Sequence, residues 1–442
     1  MPTFSPLTLA FLIVAWPLSA WADAPKVAKA SPDDGAIAVD PATVELRVTF
    51  DQDMNQGGMS FVGGGPTFPA DPQGKARWVD ARTIVLPLRL EPGKDYQLSV
   101  NSSRFQNFRN LKGEPAVPYP IRLKTATKSG GTEKELTEPE NRAAIDRLRK
   151  AIDEDYSYRD RLQVDWPAAF REATPELLGS KTPLEFAKKA AKLVGPAEDL
   201  HFTFRVGDWM VPTHDKPVVS NFQRTAFLKE VPGPVPEGPV TIVKFNNGIT
   251  YLVIASWSQE VAPRLEAVFE AIGRADPKAG LIVDVRPNGG GSELLAKQVA
   301  GCFVEATKVY AKYVTRSKGV DSPVRERSVS ASAGRPKYRG PVVVLMGPAT
   351  MSSCESFVMM MKQSQNCTLV GDRTRGSSGN PRPVDLGNGV SALVPSWRDL
   401  DTNGRCIEGE GIKPDVAVKA GPADFQDGDP VLRKAVEVLL KR

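Results

Sequence analysis

Four short segments, far apart in the chain, carry the residue types of a hydrolytic site. Ser352 follows the apolar run 341–346 and opens a segment of helical character, so we predict that it lies at a strand-to-helix turn. A hydroxyl at such a turn is exposed beside free helix N–H groups, where it can act as a nucleophile. Ser352 and Glu355 also have the spacing of a capping box, so helix capping is the alternative interpretation.

A serine nucleophile needs a base, and the chain contains two histidines. His201 follows a helical segment and begins a strand-like run, which makes it the candidate base. His214 lies in a loop-like segment between prolines, where a solvated side chain is the simpler interpretation. On this pattern alone, a structural role is the alternative for His201.

Two other segments can complete such a site. The consecutive glycines 289–291 follow the strand-like run 281–286, and they let backbone N–H groups approach a phosphate or a developing oxyanion closely. The spacing is neither that of a dinucleotide fingerprint nor that of a Walker loop, and a plain tight turn is the alternative. Glu408 can orient the base from a charged turn, with Glu410 as a competitor for that role.

The N-terminus predicts export. Residues 1–22 have no charged side chain, an apolar stretch and an Ala-x-Ala ending, the pattern of a cleavable signal peptide, and we expect a periplasmic or secreted bacterial protein. The apolar stretch is too short to span a bilayer, so stable membrane insertion is not expected. A net charge of +5 with interspersed signs argues against nucleic-acid binding.

Cysteines and histidines predict no metal site. The four cysteines, Cys302, Cys354, Cys367 and Cys406, are scattered; one or two disulfides are compatible with export, but the pairing cannot be read from the sequence. Cys354 is predicted to point into the core rather than toward a substrate. The motif HExxH is absent and the two histidines lie thirteen residues apart, so neither a metal nor another cofactor is implied.

Composition and periodicity divide the chain into several domains. Residues 23–127 alternate short apolar runs with Pro, Gly and Asp turns, which predicts an all-β sandwich that resembles the bacterial Ig-like modules of envelope proteins. The polar stretch 128–141 predicts a linker and 142–200 a helical subdomain. Alternating strands and helices predict an α/β core over 201–442.

In their order along the chain, the four segments resemble the tail-specific (C-terminal processing) serine peptidase family and its tricorn-core relatives. The resemblance runs from about residue 142 to residue 440, roughly two-thirds of the chain, and implies a ClpP/crotonase-like α/β peptidase core. It is carried by Asp199-Leu200-His201, Ile249-Thr250-Tyr251-Leu252, Asp284-Val285-Arg286-Pro287-Asn288, Ser352-Ser353-Cys354-Glu355, Val370-Gly371-Asp372 and Glu408-Gly409-Glu410-Gly411-Ile412-Lys413-Pro414-Asp415.

Two departures from the family pattern bear on the mechanism. Lysine-dependent members carry Phe-Gly-Lys-Gly, whereas this chain has Ser377 at the position of that general base. Lys362 lies about 15 Å along the helix that begins at Ser352, and arginine is too basic to accept a serine proton, so a Ser–Lys dyad is not expected. The tricorn-like branch uses a histidine and a distal glutamate, both present here, but Leu200 stands where that branch has a serine.

The resemblance therefore implies an exported serine endopeptidase with Ser352 as nucleophile and His201 as base. Glu408 would support His201, and the N–H groups of Gly290 and Ser353 would form the oxyanion hole. Residues 201–280 show no PDZ-like insert. The expected partner is a protein or peptide substrate, with an envelope partner for the Ig-like module. The alternatives are a catalytically inactive peptidase-fold scaffold or binding protein of the envelope, and an esterase or amidase that uses the same serine.

Overall fold

A computed structural model describes residues 24–441, with the exception of 72–73, 103–104, 127–134, 208, 215, 217, 234 and 236–237. The predicted signal peptide and residues 128–134 of the predicted linker lie outside the described residues. The chain separates into two compact units, Met1–Glu135 and Leu136–Arg442.

The first unit is rich in β-structure. Its strands are β1 (Val27–Ser31), β2 (Ala36–Val39), β3 (Glu45–Phe50), β4 (Phe61–Val62), β5 (Arg77–Trp78), β6 (Thr83–Pro87), β7 (Asp95–Val100) and β8 (Tyr119–Thr125). They pair into two sheets of strand order β1-β3-β6-β5 and β2-β8-β7-β4. Buried side chains of both sheets, such as Val48 and Leu98, belong to one apolar core.

Three helices open the second unit: α1 (Glu138–Glu154), α2 (Trp166–Leu178) and α3 (Pro183–Val194). The first begins inside the stretch predicted as a linker, because Thr137 and Glu140 form a capping box. Glu140 Oε2 accepts the backbone N–H of Thr137 at 2.9 Å. Pro139 fits the first turn, where its missing N–H costs no hydrogen bond.

The remaining elements form the α/β part. They are β9 (Thr203–Val206), β10 (Trp209–Pro212), α4 (Arg224–Glu230), β11 (Val240–Lys244), β12 (Thr250–Ile254), α5 (Leu265–Arg274), β13 (Leu281–Asp284), α6 (Glu293–Ala300), β14 (Lys308–Ser317), β15 (Val320–Asp321), β16 (Arg325–Val329), β17 (Val342–Met346), α7 (Ser353–Met361), β18 (Cys367–Gly371), β19 (Pro381–Asp385), β20 (Ser391–Pro395), β21 (Trp397–Leu400), β22 (Val416–Ala417) and α8 (Pro430–Leu440). Helix α6 ends at Ala300, and the glycine that follows, Gly301, leaves room for Ser332, whose Oγ would lie 2.2 Å from a Cβ there.

The central sheet has the strand order β11-β12-β13-β17-β18-β22. All pairs are parallel except β11 with β12. Val283 and Val344 face one apolar cluster with α5, α6 and α7, whereas Ile282 and Val343 face another with α4 and α8. The sheet is therefore buried on both faces, which explains the continuous apolar runs of its strands.

Two smaller sheets accompany the central one, β10-β9-β20-β19 and β15-β14-β16, with β21 paired to β14. His201 lies directly before β9. The loops after the parallel strands β13, β17 and β18 leave the same edge of the central sheet, and they carry the glycines, Ser352 and Ser377. Within the described ranges, no helix has the length and apolar character needed to cross a membrane.

Candidate active site

Ser352 lies at the turn between β17 and α7, as predicted. Its backbone has φ 59° and ψ −128°, a conformation that side-chain-bearing residues rarely adopt. Glu355 Oε2 accepts the Ser352 N–H at 3.2 Å, so the glutamate forms its half of the predicted capping box. The Ser352 hydroxyl makes no capping hydrogen bond. It is available for another partner.

That partner is His201. Its Nε2 lies 3.1 Å from Ser352 Oγ, although the two residues are far apart in the chain. The opposite ring nitrogen, Nδ1, lies 2.7 Å from Ser377 Oγ. The imidazole is thus held between two hydroxyl groups that come from neighbouring loops of the central sheet. Hydrogen-bond contact between a serine and a histidine is the geometry of an activated nucleophile.

Asp199 fixes the backbone of His201. Its Oδ1 accepts the His201 N–H at 2.9 Å, and its Oδ2 accepts the hydroxyl of the buried Tyr156 at 2.9 Å. Burial lowers the pKa of His201 below its usual 6.5, and the negative charge of Asp199 opposes that shift. The imidazole is therefore neutral near pH 7, as a base must be to accept a proton.

The glycine loop packs directly against the turn that carries Ser352. Gly290 has φ +108°, and a Cβ on it would lie 2.8 Å from Ser352 Cβ and 2.9 Å from Met351 O, so only glycine fits. Trp257 N–H donates to Gly290 O at 2.8 Å and holds the loop in place. The Gly290 N–H donates to Asn288 Oδ1 at 2.8 Å, so this predicted oxyanion donor already has a partner within the loop.

The second predicted oxyanion donor, Ser353, is the first residue of α7. Its backbone nitrogen lies 3.2 Å from the Cβ position of Gly290, so the two predicted donors are neighbours. Its hydroxyl donates to Gly291 O at 2.6 Å and ties the helix to the glycine loop.

The carboxylate of Glu355 joins the Ser352 turn to the loop that carries Ser377. Besides the Ser352 N–H, it accepts the Thr374 hydroxyl at 2.6 Å and the N–H groups of Gly376 and Ser377 at 2.8 and 2.9 Å. Burial raises the pKa of Glu355 to about 7, against the opposing effect of these four donors.

Glu408 lies near this loop but does not contact His201. It is buried, and its Oε2 accepts the Ser378 N–H at 2.8 Å. Burial and then the charge of Asp199 raise the pKa of Glu408 well above its usual value, opposed by the Ser378 N–H. The competing Glu410 is exposed and lies 3.6 Å from Arg373, whereas Glu408 holds the residue next to Ser377.

Cys354 points into the core as predicted and is fully buried there. Burial raises the pKa of its thiol well above the usual value, which makes it a poor nucleophile. All four cysteines of the chain are free thiols in the structure. Over the described residues, no group of three His, Cys, Asp or Glu side chains could hold a metal ion.

A cavity of about 440 Å³ is lined by Leu200, Gly376 and Glu408, which belong to the segments that carry His201, Ser377 and the C-terminal turn. His214, predicted to be a loop residue, lies in the irregular segment after β10 and also lines this cavity. The cavity is large enough for a side chain of a bound peptide.

The family model described as "Peptidase family S41" matches residues 248–418, which contain the glycine loop, Ser352, Ser377 and Glu408. These residues belong to peptidase family S41. The resemblance to the C-terminal processing peptidases is therefore confirmed. His201 lies before the matched S41 segment, so the candidate base comes from a part of the chain that the family description does not cover.

Relatives agree with this family. The chain is similar to the carboxy-terminal processing protease CtpA of Bacillus subtilis, 29% identical over 175 residues, and to CtpB of the same organism, 24% identical over 192 residues. These matches cover 39% and 43% of this chain but only 35% and 38% of the relatives, so the chain spans little more than a third of their length. A crystal structure from Parabacteroides merdae, provisionally described as a peptidase, has a TM-score of 0.58 at 25% identity and covers 68% of this chain and 96% of its own.

The structure brings Ser352, His201, Gly290 and Ser353 together, with Glu408 one loop away. Ser377 is a side chain of the site to which the sequence alone assigns no role. The sequence shows only that a serine stands where lysine-dependent relatives carry their general base, and this small polar residue is the available signal.

Proposed function

We propose that this chain is a serine peptidase in which His201 activates Ser352. The observation that carries the proposal is the contact of 3.1 Å between His201 Nε2 and Ser352 Oγ. The S41 family of residues 248–418 supports a hydrolase that acts on peptide bonds. The Ser352 turn beside the N-terminus of α7 adds a favourable setting for a developing negative charge.

In the proposed reaction, Ser352 Oγ attacks the carbonyl carbon of a peptide bond while His201 Nε2 accepts the hydroxyl proton. The tetrahedral intermediate collapses, the C–N bond breaks, and the proton passes from His201 to the leaving amine. A water molecule then gives its proton to His201 and attacks the acyl-enzyme, which releases the acid and restores Ser352.

The oxyanion would be stabilised by the N–H groups of Ser353 and Gly290. The loop contacts described above favour this pair, because Gly290 packs on the Ser352 turn. Since the Gly290 N–H also donates to Asn288 Oδ1, the oxyanion shares that donor with the amide. Each donor in such a site contributes about 3 kcal/mol to transition-state stabilisation.

Glu408 would support the base indirectly. Its carboxyl holds the Ser378 N–H, next to the residue that contacts His201 Nδ1. We therefore propose that Glu408 fixes the 377–378 loop and does not contact the imidazole directly.

The proposed substrate is an unstructured polypeptide. The Bacillus relatives are named for carboxy-terminal processing, which favours a segment near a protein C-terminus. An extended chain can place one side chain in the cavity lined by Leu200 and Glu408. Recognition through a PDZ-like insert is not part of the proposal.

We further infer that the protein is exported and carries an Ig-like module at 23–127, a helical subdomain at 142–200 and the peptidase core at 201–442. The two sheets with a common core support the module, and the pattern of residues 1–22 supports export to the periplasm or beyond. An envelope partner for the module belongs to the same proposal.

Fluorophosphonate labelling tests the nucleophile and the base. We expect labelling of the wild-type protein, none of Ser352→Ala, and a loss of about 100-fold or more in labelling rate for His201→Ala. Persistent labelling of Ser352→Ala would exclude Ser352 as the nucleophile. Unchanged labelling of His201→Ala would exclude His201 as the base and leave Ser352 as the nucleophile. Assays with p-nitrophenyl esters and with unstructured peptides separate an esterase from a peptidase, and a scaffold protein would give neither reaction.

A further inference from the structure

The side chain of Ser377 contacts the far nitrogen of the candidate base. Its Oγ lies 2.7 Å from His201 Nδ1, and the residue has no exposed surface. The hydroxyl is therefore placed away from solvent, where a hydrogen bond to the imidazole is not weakened by competing water. A buried polar side chain thus contacts the ring of His201 and can orient it.

The Ser377 backbone is fixed relative to the nucleophile. Its N–H donates to Glu355 Oε2 at 2.9 Å, and its carbonyl oxygen accepts the Ser352 N–H at 3.0 Å. Glu355 also accepts the Ser352 N–H. Two hydrogen bonds thus connect the turn of the nucleophile to the residue behind the base, which fixes the distance across which the imidazole must fit.

Carboxylates near His201 are engaged elsewhere. Asp199 accepts the His201 backbone N–H and the Tyr156 hydroxyl, and Glu408 accepts the Ser378 N–H. Among the described residues, Ser377 Oγ is the side-chain oxygen within hydrogen-bond distance of His201 Nδ1. The hydroxyl therefore occupies the place that a carboxylate takes behind the base of many serine hydrolases.

We propose that Ser377 is a positioning residue that accepts the Nδ1–H of His201 and so keeps the Nε2 lone pair directed at Ser352. This inference rests on the proposed function for its consequence in catalysis. A neutral imidazole carries one N–H, and the nitrogen that bears it is set by the hydrogen bond that it makes. With the proton on Nδ1, Nε2 can accept the Ser352 proton. With the proton on Nε2, it cannot.

The position that holds the general base in lysine-dependent relatives thus carries the group that orients a different base. A lysine there would act on the serine directly. Ser377 acts through His201, because its hydroxyl has no proton affinity suited to general-base catalysis and touches the imidazole instead.

Nitrogen NMR of the histidine rings tests the tautomer without an activity assay. The chain has two histidines, so ¹⁵N-histidine labelling gives two ring systems, and His214→Gln identifies that of His201. At a pH where the ring is neutral, we expect the proton on Nδ1 in the wild-type protein. In Ser377→Ala, we expect a large fraction of the proton on Nε2.

Ser377→Cys separates hydrogen bonding from volume. A thiol is somewhat larger than the hydroxyl, so it fills the same space, but it is a weak acceptor; this variant should therefore resemble Ser377→Ala if the hydrogen bond is the cause. If filling of the space is the cause, Ser377→Cys should resemble the wild-type protein. An Nε2–H tautomer in the wild type, or an unchanged tautomer in both variants, would overturn the proposal.

Kinetics give the second readout. For Ser377→Ala we expect kcat for peptide cleavage to fall about 10- to 100-fold with KM nearly unchanged, since the ground-state contacts of the substrate are retained. Ser364→Ala, on the loop after α7, is the matched control and should keep the wild-type kcat. A wild-type kcat in Ser377→Ala contradicts the positioning role. Absence of cleavage and labelling in the wild type contradicts the proposed function, and the tautomer measurement is unaffected by that outcome.

Discussion

His201 combines two opposing influences on one ring. Burial disfavours the imidazolium, whereas the carboxylate of Asp199 favours it, and the first influence is the larger. The ring remains neutral at neutral pH and still lies close enough to a negative charge to tolerate a transferred proton. A base that accepts and returns a proton in each cycle needs both properties.

We predict that peptide cleavage has an acid limb set by His201. Protonation blocks transfer from Ser352, so kcat/KM should fall as pH decreases through a value below 6.5. Because burial raises the pKa of Glu355 to about 7, the kinetic profile must be compared with an NMR titration of the His201 ring itself. A titration midpoint of His201 at or above 6.5 would contradict the prediction.

At the scale of elements, the site is formed by three neighbouring loops. Strands β13, β17 and β18 are adjacent and parallel, so their carboxyl ends bring the glycine loop, the Ser352 turn and the Ser377 loop to one edge of the sheet. Hydrogen bonds between loops then fix their spacing. Sites at this edge are characteristic of parallel α/β sheets.

Substitution of Gly290 by alanine should disrupt that spacing. The added Cβ would lie 2.8 Å from Ser352 Cβ, and φ +108° is strained for alanine. We expect a loss of about 1–3 kcal/mol in the free energy of unfolding and a fall in labelling rate of about 100-fold.

Gly289→Ala is the matched control for the change at Gly290. Gly289 does not have a positive φ, and a Cβ there would meet nothing within 4 Å. Denaturant titrations should give this control a wild-type midpoint, whereas equal destabilisation of both variants would show that the close packing at Gly290 is not the cause.

At the scale of the whole second unit, one buried arginine joins the central sheet to helix α8. Arg286 follows β13, and its guanidinium donates to Asp284 and to Asp429, the N-cap of α8. Tyr251 OH donates to the same Asp284 at 2.6 Å. None of these ionic groups reaches solvent, so each depends on its partners to compensate for lost hydration.

Removal of the Arg286 charge should therefore destabilise the unit strongly. Arg286→Leu leaves two buried carboxylates unpaired, and we expect a loss of about 3–5 kcal/mol in the free energy of unfolding, measured by urea denaturation. The control is Arg274→Leu, since Arg274 pairs with Glu270 at the surface and its loss should cost less than about 1 kcal/mol. Similar losses for both variants would refute the buried network as the cause.

Much of this organisation can be predicted from the sequence. The apolar runs at Val342–Met346 and Leu281–Asp284 are strands because both faces of the sheet are covered, and the order of the motifs predicts that Ser352 and His201 are partners. The close approach of Ser332 to Gly301, directly after the end of α6 at Ala300, cannot be predicted in this way, because it is a contact between residues distant in sequence.

The part played by Ser377 could not be predicted for a related reason. Its orientation depends on the loop held by the Glu355 carboxylate, and a sequence pattern shows only that a lysine is missing. The contact of Glu408 with the Ser378 N–H could not be predicted either, because a motif gives the order of residues and not which groups are in contact.

The backbone of Ser352 has an evolutionary consequence. Backbone strain at φ 59° and ψ −128° costs about 1–3 kcal/mol of folding free energy, and glycine at this position would relieve it. Selection for stability alone would therefore favour loss of the serine at this turn. Its retention in a lineage would indicate continued selection for chemistry, whereas an inactive descendant would be free to drift toward glycine there and gain stability in doing so.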